Sequence, residues 1–167
     1  MIKHIQCDIF DSDADVICHQ VNCQGVMGSG LAKQIKDRYP KVYDEYKAAL
    51  TTLPGHNCLG VATFTVTRSK YDTQFYGIYN LFAQEFYGYD GQCYTDYDAL
   101  RRCLQSVAST VACNIDKSDD NDTITVAIPY KMGCCRGGGD WDRVIAIISE
   151  VFSSTNIDVL ICECNKG

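Results

Sequence analysis

Thr123-Ile124-Thr125-Val126-Ala127-Ile128 runs into Pro129-Tyr130-Lys131-Met132-Gly133-Cys134-Cys135-Arg136-Gly137-Gly138-Gly139-Asp140-Trp141. The first six residues are β-branched or apolar almost without interruption, which predicts a short strand covered on both faces. The glycines that follow let backbone approach a ligand closely and adopt positive φ. Asp140 stands where an aspartate caps a helix, and Val144, Ile145, Ile148, Val151 and Phe152 then recur on one helical face. The passage reads as strand, glycine loop, helix.

The same unit occurs upstream. His19-Gln20-Val21 ends a strand predicted over Asp15–Val21, and Asn22-Cys23-Gln24-Gly25-Val26-Met27-Gly28-Ser29-Gly30 leads into a helix beginning near Leu31. Further strands are predicted over Ile2–Phe10, Gly60–Val66, Gln74–Phe82 and Ile157–Cys162, each bounded by Gly, Pro, Asn or Asp. Tyr97, Leu100, Leu104, Val107 and Val111 form the apolar face of another helix. Leu31, Ile35 and Arg38-Tyr39 predict a helix that stops before Pro40, and Val42–Leu50 a helix after it. Asp116–Asp122 has no apolar anchor and reads as a solvated connection. Alternating strands and helices imply a single α/β domain over 1–167, with a mostly parallel sheet between helices. In such folds ligands sit beyond the carboxyl ends of the strands.

Composition narrows the chemistry. A net charge of −6 argues against broad binding to nucleic acid, which needs a basic surface to displace counterions. An anion held by backbone N–H groups stays open. No apolar run is long enough to span a bilayer, and Met1-Ile2-Lys3-His4-Ile5-Gln6 is no signal peptide, so a cytoplasmic protein is expected. Eleven cysteines, an odd number set mostly in apolar runs, are expected to be reduced, buried thiols rather than a disulfide framework. Cys134-Cys135 and Cys162-x-Cys164 lack the usual zinc spacing, so no metal is expected.

Two glycine loops at strand ends suit the two phosphates of a diphosphate. No Gly-Lys-Ser/Thr follows either loop, which sets aside a P-loop NTPase. Gly28-Ser29-Gly30 lacks the third glycine of the dinucleotide fingerprint, which sets aside the usual nicotinamide enzymes.

Val21-Asn22-Cys23-x-Gly25-x-Met27-Gly28-x-Gly30-x-Ala32, with Cys7-Asp8-Ile9 before it and Gly133–Trp141 after it, resembles a macrodomain of the ADP-ribose-processing kind. The likeness is to the branch of terminal ADP-ribose glycohydrolases, antitoxins that strip ADP-ribose from DNA, and the yeast ADP-ribose 1″-phosphate phosphatase. It implies a three-layer α/β/α fold with a central mixed, mostly parallel sheet. It also implies ADP-ribose or an ADP-ribosylated substrate as partner, no cofactor, and a monomer. Asp8 and Ile9 would then meet the adenine, with Cys164 and Asn165 nearby. Asn22 would bond the distal ribose, beside Gly28, Ser29, Gly30 and Leu31. Gly133, Cys134, Cys135, Arg136, Gly137 and Gly138 would wrap the diphosphate.

The sequence also departs from that branch. Where its glycohydrolases carry a catalytic lysine and aspartate, this chain has Gln84 and Gly137, neither of which forms an imine or accepts a proton. Three catalytic candidates stay open. His19, in the order His-x-x-Asn-Cys-x-Gly, matches the phosphatase type, and imidazole titrates near neutral pH. Asn22 and Asp140 are the others, although Asp140 also suits a helix cap. Phe86, Tyr87 and Tyr89 are candidates to cover a sugar or base. The expected function is binding and hydrolysis of ADP-ribose derivatives, with a non-catalytic reader as the alternative.

Overall fold

A computed structural model describes residues 1–53, 55–67, 75–115 and 123–165. Among the described residues, six strands and four α-helices follow in the order β1 (Ile2–Gln6), β2 (Val16–Val21), α1 (Gly30–Arg38), α2 (Pro40–Thr52), β3 (Ala62–Val66), β4 (Gly77–Phe82), α3 (Tyr97–Asn114), β5 (Ile124–Pro129), α4 (Trp141–Phe152) and β6 (Ile157–Glu163). The first strand is shorter than expected. Asp8 accepts the backbone N–H of Phe10 at 3.0 Å and turns Ile9–Asp11 into a 3-10 helix, because a short carboxylate competes with the sheet for that donor. The acidic connection at 116–122 and the predicted strand start at 74 lie outside the described residues.

The sheet order is β1-β6-β5-β2-β4-β3. All neighbouring pairs are parallel except β3 with β4 at one edge, so the sheet is mixed and mostly parallel. Residue alternation splits the core. Val16, Cys18, Val126, Ile128, Val159 and Ile161 pack with α3 and α4, whereas Ile17, Ala127 and Ile78 pack with Ile35 of α1 and Val42 of α2. Strands with apolar residues on both faces thus feed two helix layers, giving three layers in all.

β2 and β5 are neighbours from which the chain departs in opposite directions, through α1 and α2 to β3 and back to β4, and through α4 to β6. They pair only at Val16–Val126 and Ile17–Ala127, at the start of β2. Beyond those residues the strands part, and both glycine loops open into the gap. That is the crevice where α/β sheets bind ligands. The thiols follow the expectation only in part: Cys18, Cys58, Cys103 and Cys162 are buried, but Cys93, Cys113, Cys135 and Cys164 are exposed.

Candidate ligand-binding cleft

The crevice holds a cavity of about 360 Å³. The first loop lines it with Asn22, Gly28, Ser29, Gly30 and Leu31, the second with Gly133, Cys135, Arg136 and Gly137, and the end of β4 with Gln84. A second hollow of about 400 Å³ adjoins it through Leu31, Pro129, Tyr130 and Lys131, and contains Asp8, Ile9 and Cys164. Strand order explains the layout: Asp8 follows β1 at one end, Gln84 follows β4 toward the other, and the glycine loops lie between.

Four of the expected catalytic and ligand-binding residues line neither hollow, and nor does Phe86. Gly138 (φ +63) faces Gln92, whose carbonyl oxygen would lie 2.1 Å from an added Cβ. The half-buried Cys134 has its thiol on the Met132 carbonyl, and burial pushes its pKa up to about 11. Asn165 is exposed beyond β6. Asp140 caps α4 by accepting the Asp142 N–H at 2.9 Å, so its candidacy as a catalyst gives way to a structural bond. Gln20 and Lys131 are among the residues that line the cleft without having been singled out. Gln20 was signalled by alternation with Val16 and Cys18. Lys131, at φ +57, is the described non-glycine residue with positive φ, a conformation its residue type does not announce.

Asn22 braces its own loop. Its Oδ1 accepts the Gln24 N–H at 2.9 Å and lies 2.7 Å from the Tyr46 hydroxyl, while its Nδ2 donates to the Val26 carbonyl at 2.8 Å. Tyr46, stacked on Phe82, also accepts the Val26 N–H at 3.0 Å. One amide hydrogen of Asn22 remains for a ligand. Asn22→Ala strips the partner from buried groups, so it should destabilise the fold by about 1–3 kcal/mol. A chemical-denaturation midpoint equal to wild type would contradict this bracing role.

The loops offer donors in different ways. Ser29, the N-cap of α1, makes no side-chain cap bond, unlike Asp96 and Asp140 at the starts of α3 and α4. The first-turn N–H groups of α1 and the positive end of its dipole therefore face the cleft uncompensated. In the second loop, Gly133 (φ +76) lies against Gln20, whose Oε1 would be 2.6 Å from an added Cβ. Over the mouth, the Arg136 guanidinium sits 5.7 Å from the Tyr87 ring centre and 5.1 Å from that of Tyr89. Tyr87 and Tyr89 line the cavity; Phe86 turns outward and meets Tyr94 edge-on.

His19 lies at the cleft floor, 2% exposed, on the α1–α2 face. The amide of Asn80 donates toward Val42 and Thr63, so its Oδ1 accepts from His19 Nε2 at 2.6 Å. Nδ1 has no partner among the described residues. Burial lowers the His19 pKa to about 4, outweighing the opposing Asn80 bond. The ring is therefore neutral at pH 7 and held in place. Its pKa thus lies below the near-neutral range expected from its residue type.

The family model of the macro domain matches residues 18–148. The chain belongs to the macro domain family. A DNA ADP-ribosyl glycohydrolase of Mycobacterium tuberculosis is 41% identical over 49 residues, 29% of this chain and 14% of the relative. An ADP-ribose 1″-phosphate phosphatase of Aspergillus oryzae is 46% identical over 46 residues, 27% of this chain and 23% of the relative. The matched stretches thus span under a quarter of either curated relative. The solved macrodomain of Mycobacterium tuberculosis DarG superposes with a TM-score of 0.75 at 24% identity, covering 97% of both chains, and supports the fold.

In this macrodomain Gln84 and Gly137 adjoin: a Cβ on Gly137 would lie 2.8 Å from Gln84 Oε1. The two departures from the glycohydrolase pattern therefore meet at one point. A neutral amide network fills it, with Gln20 Nε2 donating to Gln84 Oε1 at 2.8 Å and Gln84 Nε2 to the Phe86 carbonyl at 2.9 Å.

Proposed function

We propose that this macrodomain binds ADP-ribose, free or as the ADP-ribosyl group of a conjugate. The observation that carries the reading is the meeting of two glycine loops and the uncapped start of α1 across one cleft of an acidic protein. The adenine would sit in the hollow at Asp8 and Ile9, with the diphosphate between Gly28–Gly30 and Gly133–Gly137. The distal ribose would lie near Asn22 and Gln84. Affinity would rest on backbone donors more than on cations.

Hydrolysis of ADP-ribosyl derivatives is a second reading, supported by the names of the two curated relatives. His19 would then serve as a fixed neutral acceptor through Nδ1, and not as a titrating base. The protein would act as a monomer without broad nucleic-acid binding, and its eleven thiols suit a reducing cytoplasm.

Calorimetry with ADP-ribose tests the first reading, and an affinity about micromolar is expected. Absence of heat, together with unchanged amide resonances, would sink it. Incubation with ester-linked ADP-ribose and with ADP-ribose 1″-phosphate tests the second. Release no faster than in buffer leaves capture as the function.

A further inference from the structure

We infer that Thr95 is the positioning residue of the cleft, holding both ends of the second glycine loop in the form that meets phosphate. Thr95 lies between β4 and α3 and is 5% exposed. Its hydroxyl donates to the Gly133 carbonyl at 2.7 Å, and its backbone N–H donates to the Gly137 carbonyl at 2.9 Å. The first and last residues of the loop Gly133–Gly137 are thus both bonded by Thr95, alongside the Tyr94 N–H on the Gly137 carbonyl at 2.7 Å and the Gly139 N–H on the Gly133 carbonyl at 2.9 Å.

The proton arrangement has a single solution. Carbonyls only accept, so the Thr95 hydroxyl spends its hydrogen on Gly133 and must accept from Gln20 Nε2 at 2.9 Å. The Phe86 carbonyl likewise commits Gln84 Nε2 as donor, so Gln84 Oε1 takes the other Gln20 hydrogen. Gln20, Gln84 and Thr95 are therefore locked by two backbone carbonyls at opposite ends of the chain of bonds. Packing tightens the fit: a Cβ on Gly137 would lie 2.5 Å from Thr95 Oγ1, and one on Gly139 3.2 Å from it. Holding those carbonyls fixes the turn that carries the Cys135, Arg136 and Gly137 amides, while the Cys134 N–H is spent on the Lys131 carbonyl at 3.0 Å. The network has no ionisable member, so this hold persists across the physiological pH range. Its consequence for ligands rests on the diphosphate reading above; its consequence for the loop does not.

Thr95→Val keeps the shape and the backbone bond to Gly137 but deletes the hydroxyl, and Thr95→Ser restores it. Amide hydrogen exchange of the free protein is the first measurement. In the valine variant exchange should quicken about tenfold or more over Gly133–Gly137, with β6 unchanged, and should return toward wild type in the serine variant. The second measurement compares ligands. The valine variant should bind ADP-ribose about tenfold more weakly, whereas adenosine, which has no phosphates, should bind within about twofold of wild type. If the valine variant does not fold, Gln20→Met, which removes the donor to Thr95, should give the same pattern. Unaltered loop exchange overturns the inference whatever the ligand does. So do equal losses for adenosine and ADP-ribose, or a quickened loop with unchanged ADP-ribose affinity. Failure of wild type to bind ADP-ribose would instead sink the diphosphate reading, and the exchange result would still decide the role of Thr95.

Discussion

Lowering the pH from 7 to 4 should remove about 3 kcal/mol of unfolding free energy through His19 alone. Burial holds the folded-state pKa near 4, against a model value of 6.5 for the free side chain. Between those values the unfolded chain binds the proton and the folded chain does not. Stability is therefore full above about pH 6.5 and is lost as the pH falls toward 4. His19→Gln has no such proton to bind. The wild-type curve of stability against pH should fall more steeply than the variant's by that amount, as measured in urea at matched ionic strength. Parallel curves would mean that the ring is solvated and titrates normally. A neutral His19 also leaves ligand binding and any turnover without an inflection from this residue between pH 6 and 8. An inflection near 6.5 that disappears in His19→Gln would point the same way as parallel curves.

Gly28→Val should weaken ADP-ribose binding by on the order of 100-fold with the melting temperature nearly unchanged. Gly28 lines the cleft, its φ is not positive, and the nearest atom to an added Cβ is Val26 Cγ1 at 3.5 Å. The fold therefore accommodates a Cβ there, whereas a diphosphate seated on the loop would be displaced by the valine methyls. Other glycines of the site behave differently. Gly30 has open space around it but sits at φ +58, where a β-branched residue strains the backbone. A Cβ on Gly137 would come within 2.5 Å of the Gly133 carbonyl, so its substitution displaces the loop itself. Calorimetry beside thermal melting separates these cases. Retained affinity in Gly28→Val would remove the first loop from the binding surface.

The strand–glycine–helix units were legible because they are local. Thr123–Ile128 and the passage from His19 to Lys33 carry their own periodicity, turn residues and helix starts, and the structure follows them to within a few residues. The boundary at Phe10 was less legible, since Asp8 captures a backbone donor that the pattern Cys7-Asp8-Ile9-Phe10 assigns to the strand. Asp140 reads first as a helix cap and second as an acid, and position beside the cleft in sequence did not make it part of the cleft in space.

By itself the sequence determined the α/β class and the two strand–glycine–helix units, while its resemblance to macrodomains marked Gln84 and Gly137 as departures from the glycohydrolase pattern. These depend on residue type and short-range spacing. Only tertiary structure decided what His19, Asn22 and Thr95 do. His19 meets Asn80 sixty-one positions away, Asn22 meets Tyr46, and Thr95 meets Gly133 and Gly137. A side chain's pKa and the free valences of its polar atoms are set by burial and by partners. Those partners come together only when β2, β4 and β5 pair and their connecting segments pack above them.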